Sequence, residues 1–157
     1  METPNMNLVS EKITKGGVYY NVQGSNMKEV LLSVSKLIQI PASITKEKLY
    51  DAMIEREEVM STAIGDGIAL PHPRNTLLTK PEEEQISICY LDKPIFIESP
   101  DGQPIYVLFV VLSSSLGNHL QILSQLTYLF QKKEIQELLK TKPDANQLVS
   151  SFDNFSK

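Results

Sequence analysis

The apolar residues Met27, Val30, Leu31, Val34, Leu37 and Ile38 recur at the three-and-four spacing that gives a helix one apolar stripe. Asn26, with Glu29 three residues on, supplies a start signal, so a helix is predicted over about 26–39. Pro41 and Ser43 end it, and Thr45 can cap a second helix carrying Leu49, Ala52, Met53 and Arg56 on one face. Val18–Val22 has strand composition and is followed by a Gln23-Gly24-Ser25 turn. Residues 1 to about 16 are polar and are expected to be loosely ordered. Ile68-Ala69-Leu70 reads as a short strand, and Thr79 to Glu84 as a charged loop. Ile86, Ile88 and Tyr90 alternate with Ser87 and Cys89, the period of a half-buried strand. Lys93-Pro94 is expected to break that strand, with Ile95-Phe96-Ile97 as a short continuation. After the Ser99-Pro100-Asp101-Gly102 turn, Ile105–Leu112 is nearly all apolar and reads as a central strand buried on both faces. Asn118 can cap a further helix with Ile122, Leu123, Leu126, Leu129 and Phe130 as its stripe. Shorter helices follow near 133–140 and 144–152, the last capped by Asp144. Helices on either side of a set of strands predict an α/β chain whose sheet is covered on both faces.

Composition narrows the class. A chain of 157 residues, 41% hydrophobic and 22% charged, fits one ordinary globular domain, 1–157. The run Ile105–Leu112 is the longest apolar stretch and is too short to span a bilayer. The start of the chain has no signal-peptide pattern, and the single Cys89 cannot form an internal disulfide, so a cytoplasmic protein without stable membrane insertion is expected. A net charge of −4 argues against non-specific nucleic-acid binding.

The chemistry concentrates in Gly65-Asp66-Gly67-Ile68-Ala69-Leu70-Pro71-His72-Pro73-Arg74. The glycines permit tight turns or close backbone approach, and the prolines stiffen both sides of His72, one of two histidines in the chain. His72 alone supports a structural turn residue, a metal ligand, or a nucleophile or base. No Cys-x-x-Cys, His-Glu-x-x-His, Gly-x-Ser-x-Gly or Gly-Lys-Ser/Thr motif occurs, which weakens metal, hydrolase and nucleotide readings. His119 falls in the first turn of its helix, in phase with Ile122, Leu123 and Leu126 and beyond the end of a buried strand. A packed or capping residue and a site residue both fit that position. Arg56 in Glu55-Arg56-Glu57-Glu58 fits a solvated charged face, or an inward arginine suited to a phosphate. Cys89 reads as inert core.

Arg56-Glu57, then Ser61-Thr62, then Gly65-x-Gly67-Ile68-Ala69-x-Pro71-His72, with Asn118-His119-Leu120 further on, resembles the type 2 enzyme IIA domain of the bacterial sugar phosphotransferase system. This is the fructose/mannitol class, which includes the nitrogen-regulatory IIA proteins, and the resemblance runs from about Val9 to Phe152. The single-domain length, with no IIB or membrane IIC part, is most similar to the nitrogen-regulatory branch. The resemblance implies a three-layer α/β/α sandwich with a central mixed sheet flanked by helices. It implies a phosphocarrier in which His72 is phosphorylated on Nε2, His119 interacts with it and with the phosphoryl group, and Arg56 supplies positive charge. Thr62 and Asp66 hold motif positions close to the site. No cofactor or metal is implied. The implied donor is the histidine-containing phosphocarrier protein, itself charged by enzyme I, and the acceptor a IIB domain or regulated target proteins. Ile64 and Leu70 are expected to give an apolar contact zone around the cleft, and the helix start at Asn118–His119 is expected to offer N–H groups to an anion. A non-catalytic binding module of the same fold is the alternative. Pro73 stands where the family often has glycine, Ala63 replaces a common glycine, and Asp66 stands where some members carry asparagine.

Overall fold

The structure, a computed structural model, describes residues 6–155, and side chains from Val9 onward. Five strands form one mixed sheet: β1 (Val18–Val22), β2 (Ala63–Gly65), β3 (Ile68–Ala69), β4 (Gln85–Ile95) and β5 (Ile105–Leu112), in the order β1-β4-β5-β3-β2. β1 runs parallel to β4 and β3 parallel to β5, while β4–β5 and β2–β3 are antiparallel. Among the described residues six α-helices cover the sheet: α1 (Met6–Gly16), α2 (Met27–Leu37), α3 (Lys46–Val59), α4 (Leu116–Phe130), α5 (Lys133–Lys140) and α6 (Ala145–Asn154).

Alternation along the central strands divides the core in two. Ile86, Ile88, Tyr90, Val107, Phe109 and Val111 meet α1, α4, α5 and α6 on one face. Cys89, Leu91, Leu108, Val110 and Leu112 meet α2 and α3 on the other. This is the expected three-layer α/β/α sandwich. It makes β4 buried on both faces from Gln85 to Leu91, where alternation predicted a half-buried strand. β4 also continues through Lys93-Pro94 to Ile95. Its register against β5 shifts between Tyr90 and Ile95, and a proline is tolerated where the ladder is interrupted. The strand ends there, leaving Phe96 82% exposed.

The N-terminal expectation needs correcting for residues 6–16; residues 1–5 lie outside the described part. Residues 6–16 form α1, with Val9 and Ile13 fully buried against the sheet. Gly16 lets the helix end press on β4, since a Cβ there would lie 2.1 Å from the Ile86 carbonyl oxygen. The cap signals of α2, α3 and α6 stand: Asn26, Thr45 and Asp144 each accept a backbone N–H, from Glu29, Lys48 and Gln147. For α4 the cap is Ser115 rather than Asn118, so the helix starts three residues earlier than the sequence pattern predicts.

One consequence of the topology bears on function. β3 and β5 are parallel neighbours, paired Ile68↔Val107 and Ala69↔Leu108. The segments leaving their C-terminal ends, one carrying His72 and the other His119, therefore emerge side by side.

Candidate functional site

The glycines of the motif build a hairpin. Gly65 pairs with Ile68 across a two-residue turn of Asp66 and Gly67, with φ of 57° and 78°. Positive φ at both turn positions is the primed hairpin geometry that Asp-Gly favours. A Cβ on Gly67 would also lie 2.4 Å from the Tyr106 ring. The short strand β2, absent from the sequence reading, is the other arm. Asp66 is exposed, and its N–H donates to Asp101 Oδ2 at 2.8 Å. It lines a separate cavity with Asp101 and Tyr106, and is not among the residues around His72.

Beyond β3 the chain is tied on both sides. Pro71 O accepts from Val111 N–H at 3.0 Å, and Arg74 N–H donates to Ala52 O at 3.2 Å. Pro71 and Pro73 are buried. Thr62 is also buried: its N–H and hydroxyl donate to the two oxygens of Glu57 at 2.9 and 2.8 Å, and its carbonyl takes the Leu70 N–H. His72 Nδ1 lies 2.8 Å from the Leu70 carbonyl oxygen. A carbonyl can only accept, so Nδ1 carries the proton and Nε2 of the neutral ring keeps its lone pair.

His119 is brought against it. The two ring centroids are 4.4 Å apart with planes tilted by 51°. His119 Nδ1 lies 3.3 Å from Ser113 Oγ. Arg56 lines the same cleft, a cavity of about 270 Å³ bounded also by Arg74, Ser113, Leu116 and Leu120. Its Nη1 donates to Met60 O at 2.7 Å, which folds the side chain back over the end of α3. The three sequence candidates therefore meet at one place.

Electrostatics keep both rings neutral. Burial lowers the His72 pKa and the nearby Arg56 charge lowers it further, against the raising effect of the Leu70 hydrogen bond. Burial, His72 and Arg56 push His119 from 6.5 down to about 4, with Glu84 acting in the opposite sense. A neutral Nε2 next to a guanidinium is a nucleophile facing a place for anionic charge.

Several expectations change. Leu70 is buried and Ile64 packs on the core, so neither forms an exposed contact zone. The exposed apolar residues on the rim of the cleft are instead Leu116 and Leu120, at 68% and 56% exposure. The N–H groups of Asn118 and His119 are taken by Ser115 Oγ and Ser115 O, so they are not open to an anion. The roles of Glu57, Ser113 and Ser115 were not read from sequence. The Ser113-Ser114-Ser115 run, three hydroxyls ahead of an apolar stripe, is the sequence signal for the last two. Burial raises the Cys89 thiol to about 12, in keeping with inert core. Among the described residues no group of three His, Cys, Asp or Glu side chains converges to hold a metal ion.

The mixed sandwich is the fold of solved IIA structures. A crystal structure of Nitrogen Regulatory Protein IIA-Ntr from Neisseria meningitidis superposes with a TM-score of 0.79 at 24% identity, over 92% of this chain and 99% of that one. Residues 11–155 match the family described as "Phosphoenolpyruvate-dependent sugar phosphotransferase system, EIIA 2", and the chain belongs to that family. It is 29% identical over 140 residues to a nitrogen regulatory protein of Pseudomonas aeruginosa, covering 87% of this chain and 88% of the relative. It is 23% identical over 145 residues to the mannitol-specific phosphotransferase enzyme IIA component of Staphylococcus aureus, covering 92% and 97%. The protein is thus a phosphoryl-transfer component of the IIA type.

Proposed function

We propose that this chain, acting as one domain, carries a phosphoryl group on Nε2 of His72. The observation behind the proposal is the His72 ring itself, held at Nδ1 by the Leu70 carbonyl and in tilted contact with His119 beside Arg56. The donor is the phosphorylated histidine of the phosphocarrier protein. The Nε2 lone pair attacks phosphorus in line, the donor N–P bond breaks, and its electron pair returns to the donor imidazole. Position and charge stabilisation are the protein's contribution. Arg56 offsets charge on the transferring oxygens. Ser113 Oγ, 3.3 Å from His119 Nδ1, can donate to it, and the neutral ring then carries its proton on Nε2, available to a phosphoryl oxygen. Leu116 and Leu120 give the donor protein an apolar rim to dock on. Such exchange belongs in the cytoplasm, where no membrane anchor is required; among the described residues no helix is long and apolar enough to cross a membrane.

Similarity to nitrogen regulatory proteins over most of both chains favours a regulatory use, with the two phosphorylation states binding targets differently. Delivery to a sugar-specific IIB domain is the other use, favoured by the mannitol-specific relative.

Incubation with enzyme I, the phosphocarrier protein and phosphoenolpyruvate is expected to add one acid-labile phosphoryl group, detected by mass. His72→Ala takes none. His119→Ala takes the group about tenfold more slowly or worse, as loss of one transition-state donor does. No labelling by any competent donor, or full labelling of His72→Ala, overturns the proposal, the first outcome leaving a non-catalytic binding module.

A further inference from the structure

The segments bearing the two histidines are tied down in the same way. Glu57 accepts both the N–H and the hydroxyl of Thr62, and Thr62 in turn holds Leu70, which holds His72. On the other side, Glu84 accepts both the N–H and the hydroxyl of Ser114, at 2.7 and 2.8 Å. The same oxygen, Oε2, takes Asn118 Nδ2 at 3.2 Å. Ser114 lies between Ser113, whose Oγ meets His119 Nδ1, and Ser115, which caps α4 and accepts the His119 N–H.

Glu84 is 3% exposed, and its other oxygen pairs with Lys12 Nζ at 3.2 Å. Lys12 is itself 7% exposed and comes from α1, in phase with Val9 and Ile13. Burying such a pair sets Coulomb attraction against the desolvation of two ions and gains little stability over an apolar pair of similar volume. What it does provide is one oxygen accepting three hydrogen bonds at the start of α4. Burial alone would raise the Glu84 carboxyl, yet the bonds from Ser114, Asn118 and Lys12 together hold it low, so the acceptor stays ionised.

We propose that the buried Glu84 side-chain oxygen that faces the turn is the positioning element for His119, clamping the Ser113–Asn118 turn so that the imidazole stays against His72. Its consequence for rate rests on the phosphocarrier reading; its consequence for the ring does not. Glu84 touches no reacting atom and acts through the turn.

Two double variants separate geometry from charge. Lys12→Met/Glu84→Gln removes both charges and keeps an oxygen for Ser114, whereas Lys12→Met/Glu84→Leu removes the oxygen as well. The first is expected to accept phosphoryl within about twofold of the parent. The second is expected to be about tenfold slower, since small misplacements carry large costs in such transfers, with an unchanged KM for the phosphocarrier protein. Its His119 ring ¹⁵N resonances should move while those of His72 stay. Should the leucine variant fail to fold, Ser114→Ala/Asn118→Ala, which leaves the buried pair in place, is expected to give the same two signatures. Parental rate and parental His119 resonances in the folded leucine double, or in Ser114→Ala/Asn118→Ala, overturn the proposal, as does equal slowing in the glutamine and leucine doubles. If the parent accepts no phosphoryl group, the carrier reading falls, and the ring resonances still decide the positioning role.

Discussion

At the scale of single residues, the site depends on which nitrogen is occupied. His72 reads as a reactive candidate from its proline frame, but only the Leu70 carbonyl decides that Nε2 is the open atom. On pattern alone Arg56 fits a solvated face better, and its place in the cleft depends on the fold of the chain end after α3, which no local pattern encodes. Arg56→Lys is expected to slow transfer by about tenfold despite the retained charge. The planar fork that both reaches Met60 O and faces the cleft is lost. Parental kinetics, measured by quenched-flow phosphorylation, would return Arg56 to a surface role. Acid should also act through the histidines. Below 6.5 the unfolded chain takes up protons that the folded His72 and His119 refuse, His119 down to about 4. Stability is therefore full above 6.5 and falls as pH drops toward about 4. Denaturant midpoints across that window should fall less steeply in His119→Gln than in the parent.

At the scale of elements, periodicity exposed the long ones and missed those held by contacts from elsewhere. α2, α3, β5, α5 and α6 follow from stripes, caps and an apolar run. α1 did not, because Ser10, Glu11, Lys12, Thr14 and Lys15 surround Val9 and Ile13, and Lys12 is buried through a distant carboxylate. The α4 start was misread because Asn118 and Ser115 are both good caps. Ser115 takes the role, while the Asn118 amide goes to Glu84. The Asp66-Gly67 turn was legible as a tight turn but not as half of a hairpin, since β2 is three residues long. Gly67→Ala combines a positive φ with a clash against Tyr106, and should cost about 1–3 kcal/mol. The loss should appear in the thermal midpoint and in hydrogen exchange at Ile68 and Ala69, the residues that β3 pairs with β5.

At the scale of the molecule, two cores share one sheet, and α1 belongs to the side that supports α4 and α6. Ser10 Oγ donates to Asp153 Oδ1 at 2.8 Å, and Lys12 reaches Glu84, so α1 joins the far end of the chain to the histidine cleft. Ile13→Ala is expected to cost about 2–5 kcal/mol, the range for a fully buried isoleucine, by equilibrium unfolding. A cost below 0.5 kcal/mol would mean that α1 is peripheral. The pairing of β3 with β5 has a last consequence, in time rather than space. His72 and His119 meet only when residues 68–69 have found 107–108. Contacts so far apart in sequence carry a large loop-closure entropy and form late. A chain still emerging from the ribosome holds His72 long before it holds a cleft. Competence to accept a phosphoryl group would then be a property of the finished fold, and the label itself a reporter that folding is complete.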